Sequence, residues 1–324
     1  MKKHYMLVAI LTVLLVSGTA LGAPIVIKFA NTVAPDHPNH VASERFAEIV
    51  ASKTDKIEVQ VFPAAQLGNE KDLLEGTMFG GVDMFQVSPG AISLIQPEFA
   101  ILDCPYIFRD VDHLERVLHS EVMQPLYDKL ESNRGIKILD AFWYYGTRHL
   151  TTKDKPINKP ADLAGMLIRA PEQPIYLETV KAMGATATPV DFADLYLALK
   201  QGTVDGQENP VATIYTYKYY EAQKYLMLTG HMIRTIVVGI NADLFDSLSP
   251  DLQEILVESL LEAGNYNKEL MVKAEEDLMV ELQNLGMVIV EPDVEAFREA
   301  TKVVADIFED KWGRDLYEAI VNYK

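Results

Sequence analysis

Between residues 57 and 62 the chain reads IEVQVF, apolar and polar in alternation, the period-two pattern of a half-buried strand. The runs IVIKFA (25–30) and VDMFQV (82–87) predict two further strands, and helical spacing fills the intervals from about Pro38 to Ser52 and from Glu70 to Phe79. This β-α-β-α-β order predicts a parallel α/β layer. Two short helices are expected over 110–132. IKILDAFWYYGTRHLTT (136–152) follows as one long extended segment, a candidate crossing between lobes. The polar stretch 153–165, with two prolines, reads as a linker. Met166–Arg169 then forms a short buried strand that Pro171 helps to stop. Beyond it the pattern predicts a helix near 174–183, a turn at 188–190, a helix at 191–200, another after Pro210, and a strand at 234–241. Leu252, Leu256, Leu260, Ala263, Leu270, Ala274, Leu278 and Leu285 keep helical spacing. They predict one helix from Pro250 to Leu285, with Ser249 as its N-cap and Pro250 at its first position. At 1.5 Å per residue it is about 50 Å long, enough to pack across two domains.

The beginning of the chain has a different pattern. Lys2 and Lys3 precede an apolar run from Tyr5 to Val16 and then small residues, the three regions of a secretory leader. The run is short for a membrane span, which needs about 20 residues. Cleavage is expected near Ala20 to Ala23, giving a leader over 1–23 and export to the periplasm. A chain of 324 residues suggests about two domains, and 49% hydrophobic with 23% charged residues is the profile of a folded globular protein. Cys104 is the only cysteine, so no intrachain disulfide forms; beside Pro105 it reads as a small buried apolar residue.

Net charge is −18, and loss of Lys2 and Lys3 makes it −20. Nucleic acid and anionic lipid are therefore poor partners. If the ligand is an anion, capture rests on a few local cations in a desolvated cleft. Two arginines sit where an extended run meets a polar loop, Arg148 in YYGTRHLTT and Arg169 in LIRAPEQ, and Asn209 lies just before Pro210. Two guanidinium forks and an amide suit a carboxylate, although either arginine also fits a surface charge or an internal ion pair. Glu70 is open to two readings, a helix N-terminal acid or an acceptor for a ligand hydroxyl. Glu172 is either solvated or a cleft acceptor, and Trp143, Tyr145, Phe192 and Tyr215 are either core or cleft lining. His37 and His40 lack a third metal ligand at useful spacing, and no P-loop, G-x-S-x-G elbow or dinucleotide fingerprint is present. Cys104 has no evident catalytic base. No cofactor, metal or catalysis is expected.

Five segments carry a family resemblance: FPAAQLGNEKDLLEG, YYGTRHLTT, GMLIRAPEQPIY, MGATATPVDFADLYLALKQGTVDGQENP and KYYEAQKYL. They resemble the substrate-binding proteins of tripartite ATP-independent periplasmic (TRAP) transporters over nearly the whole chain after the leader. The resemblance implies an α/β fold of two lobes joined by hinge strands, with a long helix spanning both. The expected division is 24–146 with 235–274 in one lobe and 147–234 with 275–324 in the other. It implies capture of an organic acid in the cleft and delivery to a membrane permease, by a protein expected to be a monomer. By correspondence, Arg169 makes the carboxylate salt bridge, Arg148 lies near the same carboxylate, Asn209 completes the clamp and Phe192 lies below the ligand. Glu70 and Ser88 fall at positions that vary with the ligand's other end, Asn31 or Thr32 supplies a first-loop contact, and Tyr215 is a further lining candidate. Glu172 before Gln173-Pro174 associates with binders of sugar acids such as uronates and aldonates. C4-dicarboxylates, keto or hydroxy acids and sialic acid are the alternatives, with an exported carboxylate-processing enzyme as the rival class. All of this requires that Arg169 face a cleft without an internal acid as partner.

Overall fold

A computed structural model describes residues 23–324; the expected leader lies outside the described residues. Nine strands form one mixed sheet: β1 (Ile25–Ala30), β2 (Ile57–Phe62), β3 (Met84–Val87), β4 (Ile136–Thr152), β5 (Leu167–Ala170), β6 (Thr186–Pro189), β7 (Gly206–Pro210), β8 (Tyr225–Asn241) and β9 (Val288–Val290). The spatial order is β2-β1-β3-β8-β4-β7-β5-β6, with β9 beside β8. On one flank β1 runs parallel to β2 and β3. On the other, β5 runs parallel to β6 and β7. Between them β4 and β8, 17 residues each, pair antiparallel along nearly their whole length. At about 3.3 Å per residue each extends over about 55 Å, so the two lobes share these strands. The pairing slips register four times, the last two slips lying between Tyr144 and Leu150, where bulges add bend and twist.

Gly146 lies in this stretch at φ +112°, and a Cβ there would come within 2.7 Å of Pro210 Cβ. Only glycine fits both constraints. The helix Pro250–Asn284 crosses the same point, as its apolar spacing predicts. Its first half buries Leu252, Leu256, Leu260 and Ala263 with Phe29, Phe46 and Trp143. Its last turns bury Leu282 with Leu195, Leu199 and Leu226 of the other lobe. Midway, Glu275 accepts from Thr147 N (2.6 Å) and Tyr144 Oη (2.7 Å), pinning the helix to β4.

Several elements depart from the sequence pattern. The segment expected as a turn at 188–190 includes the end of β6, paired with β5. Isolated Thr-Ala-Thr-Pro carries little strand signal; the neighbouring strand supplies it. β8 begins at Tyr225, nine residues before the expected start. The helix expected at 191–200 opens as a 3₁₀ turn, Phe192–Asp194, capped by Asp191, and becomes α-helical over Leu195–Gln201. Ser249 occupies the cap position in extended conformation, but its hydroxyl makes no capping bond. The C-terminal segment packs against several parts of the chain. Phe297 of the helix Val294–Ile307 joins the cluster that holds Ile175 and Val180. Arg109, by contrast, donates to the carbonyls of Val321 (2.9 Å) and Tyr323 (2.6 Å). Cys104 is 3% exposed, and burial pushes its thiol well above the ordinary range.

Candidate functional site

Parallel strands β5 and β7 end side by side, with Arg169 opposite Gln207, and β4 runs back along β7 with Arg148 opposite Pro210. The carboxyl ends of parallel strands are where α/β crevices open. Here a cavity of about 360 Å³ lies between the lobes, near the small end of the usual range for small-molecule sites. Arg148, Arg169, Asn209, Glu172, Phe192, Glu70 and Asn31 all line it.

Arg169 is 2% exposed, and its Nε donates to the carbonyl of Val190 at 2.9 Å. This bond fixes the side chain and leaves both terminal nitrogens without a partner among the described residues. Among the described residues no carboxylate lies within 4.0 Å of it. Burial holds its pKa below the ordinary arginine value.

Arg148 differs. Its Nε bonds Glu208 Oε2, and its Nη2 donates to Glu208 Oε1 and to the Glu208 carbonyl, both at 2.7 Å. His231 Nε2 is 3.2 Å from the same carboxylate. Burial opposes ionisation of Glu208, but Arg148 and His231 outweigh it and hold the carboxyl at about 2. Arg148 is thus neutralised internally, and only Nη1 lacks a partner. Asn209 donates to Gln207 Oε1 at 2.5 Å, which orients its amide.

On the opposite wall, Glu70 opens the helix Glu70–Met78, behind the N-cap Asn69. Both of its oxygens are engaged by Ser88, one by the backbone N–H and one by the hydroxyl, each at 2.7 Å. Ser88 itself is fully buried and does not line the cavity; it caps the short helix after β3 and supports Glu70 from behind. Tyr215 also lies outside the cavity. Its ring packs 6.1 Å from Tyr220 in the apolar cluster beneath the helix Val211–Thr216, because the helix turns it away from the cleft. Phe192 does face the cavity, edge-on to Tyr217 at 4.7 Å. Tyr145 lines it too, stacked on His37 at 5.3 Å, while Trp143 is core. Glu172 is exposed at the mouth.

Contacts bridge the two walls. The hydroxyl oxygen of Tyr217 accepts from Ala34 N at 2.9 Å, Tyr176 Oη donates to Asp103 Oδ2 at 2.6 Å, and His37 Nε2 lies 3.3 Å from Thr213 Oγ1. Several lining groups lie outside the sequence-based set: Asn39, Gln86, Tyr217 and, above all, Arg234 on β8. The signal for Arg234 was legible, since MIRTIVVGI buries an arginine in an apolar run as MLIRA does.

The model of bacterial extracellular solute-binding protein, family 7, matches residues 29–311. The 2,3-diketo-L-gulonate-binding periplasmic protein YiaO of Escherichia coli is 32% identical over 299 residues, 91% of this chain and 90% of YiaO. A TRAP periplasmic solute binding protein of Actinobacillus succinogenes with bound L-galactonate superposes with TM-score 0.86 at 32% identity, covering 92% of this chain and 98% of that one. A TRAP periplasmic solute binding protein of Sulfurospirillum deleyianum with bound succinate does so with TM-score 0.86 at 31% identity, covering 92% and 99%. With two lobes, shared strands and an arginine-bearing cleft, this chain belongs to the family 7 extracellular solute-binding proteins, the substrate-binding components of TRAP transporters.

Proposed function

We propose that this protein captures a sugar acid, of the uronate or aldonate kind, in the periplasm and hands it unchanged to a TRAP permease. The observation that carries the reading is Arg169, a buried guanidinium fixed by Val190 with no acid within 4.0 Å among the described residues. An unpaired buried charge is costly, so a carboxylate from outside is its natural partner. Charge-assisted hydrogen bonds contribute about 1.5–3 kcal/mol each. A bidentate pair with one Asn209 contact supplies about half of the roughly 8 kcal/mol that micromolar binding represents.

The ligand enters when the lobes part and wet Arg169. It then touches both walls and favours the closed form by its difference in affinity for the two forms. In this reading the lobes divide at the β4–β8 crossing, near Gly146 and Arg234, with Arg169 and Asn209 on one side and Glu70, Gln86 and Asn31 on the other. On the same reading the protein works as a monomer. Calorimetric titration of the mature chain with galactonate, glucuronate, sialic acid and succinate tests the reading. Binding of a sugar acid that Arg169→Ala abolishes supports it; affinity equal in the two proteins overturns it.

A further inference from the structure

The cavity holds a third guanidinium. Arg234 is 6% exposed, with its carbon 4.9 Å from the Tyr145 ring and 5.4 Å from the Tyr176 ring. Tyrosine rings crowd its faces and leave its edge. None of its five N–H groups makes a hydrogen bond to the described residues, and buried Nε is an orphan. Its charge, however, has company. Glu70 Oε1 lies 3.9 Å from Nη2 and Asp103 Oδ1 lies 4.0 Å from Nε.

Charge counting then limits the ligand. Arg148, Arg169 and Arg234 face the enclosed carboxylates Glu208, Glu70 and Asp103. His231 adds no necessary charge, because the Thr229 hydroxyl can donate to Nδ1 while Nε2 donates to Glu208. With Asp103 ionised the group is neutral, and with Asp103 protonated it carries one positive charge. One ligand carboxylate on Arg169 is therefore balanced when Asp103 is protonated, and a second is uncompensated in both states. At the mouth, Glu172 and Asp191 outnumber the one lining lysine, Lys71, and reinforce this limit.

The neutral groups of the wall point the same way. Asn31 Oδ1, Asn39 Oδ1 and Gln86 Oε1 are buried acceptors without a partner among the described residues, against one such donor, Gln86 Nε2, and all three residues line the cavity. An ionised carboxylate has no hydrogen to offer them; hydroxyls do. A hydroxyl or keto oxygen in turn accepts from Arg234.

We infer that Arg234 is a specificity-determining residue that donates to uncharged oxygens at the far end of the ligand, so that the protein selects polyhydroxylated monocarboxylates and rejects dicarboxylates. The inference rests on the proposed capture of an organic acid by Arg169 and adds the identity of the other end. A site that hydrogen-bonds a hydroxyl discriminates strongly against analogues that leave its buried groups unpaired.

Calorimetry on the mature chain with galactonate, galacturonate, galactarate and adipate tests it, since these six-carbon acids differ in charge and hydroxylation. Galactonate or galacturonate is expected to bind at least about tenfold more tightly than galactarate, and adipate more weakly still. Arg234→Gln is expected to weaken binding of the sugar monoacid at least about tenfold, with Arg234→Lys falling between, because ammonium lacks the fork. If thermal melting shows that Arg234→Gln does not fold, Glu70→Gln provides the variant arm. Loss of that charge is expected to narrow the galactonate-to-galactarate ratio at least about threefold. Galactarate or adipate binding as tightly as galactonate overturns the inference while leaving capture by Arg169 intact. Failure of every acid to bind overturns the proposed function and this inference with it.

Discussion

The carboxylate of Glu208 lies against the guanidinium of Arg148, with Nη2 2.7 Å from Oε1 and neither side chain accessible to solvent. Such a pair is expensive to break from one side only, since the remaining charge stays buried. Glu208→Gln is expected to lower unfolding stability by about 3–5 kcal/mol, read as a shifted urea midpoint at unchanged slope. A loss under about 1 kcal/mol would show that the pair is dispensable. The double change Arg148→Met with Glu208→Leu removes both charges and should recover much of that stability, yet bind ligand poorly because Nη1 is gone.

Arg169 behaves oppositely, because its partner is the ligand. Arg169→Ala should cost binding at least about 2–3 kcal/mol and leave the melting temperature of the ligand-free protein nearly unchanged or higher. Arg169→Lys should also bind weakly, since a point charge cannot make the paired contact. A ligand-free Ala variant far less stable than wild type would mean that the arginine is structural.

Tyr217 closes over the cavity through Ala34 N, the most direct tie between the walls at the mouth. Tyr217→Phe removes this bond and the longer donation of the hydroxyl to the Thr32 carbonyl at 3.4 Å, each worth at most about 0.5–1.5 kcal/mol. Stopped-flow measurement should show a faster off-rate and a nearly constant on-rate. An effect confined to the on-rate would refute the latch.

His37 is buried, and desolvation, helped by His40, holds its pKa at about 3, below the ordinary 6.5. The folded state therefore keeps it neutral, and unfolding takes up a proton. Its share of stability is full above 6.5 and is lost as pH falls toward 3, by about 1.4 kcal/mol per pH unit. Buried Asp103, Asp140 and Glu275 have raised pKa values, chiefly from desolvation, and act in the other direction. The comparison must therefore be with His37→Asn, which keeps a capping residue before Pro38. The stability gap between wild type and variant should drift in favour of the variant between pH 6 and 4 at that slope. Parallel curves would show that His37 does not titrate with unfolding.

Much of this was readable in residues 24–152 and 250–285, where long periodic segments carry their own signal. IKILDAFWYYGTRHLTT formed one strand, and Pro250–Asn284 one helix, as the spacing required. β6 was not readable, because TATP is a strand only beside β5. At the site, Arg169, Asn209 and Phe192 came from matching motifs, whereas Glu208 looked like an ordinary acid in DGQENP. Its role depends on β4 and β7 lying side by side, and pairing is invisible in one dimension. Ser88 and Glu70 were expected at the same end of the ligand, but only Glu70 lines the cavity, because sequence cannot say which of two neighbours stands in front.

Since β4 and β8 pass uncut from one half of the molecule to the other, neither half owns a finished sheet. Severing them would expose raw backbone edges on both sides, the kind that seek new strands. The halves should thus melt in one transition. Occupancy of the cleft should slow amide exchange as far away as β2 and β6.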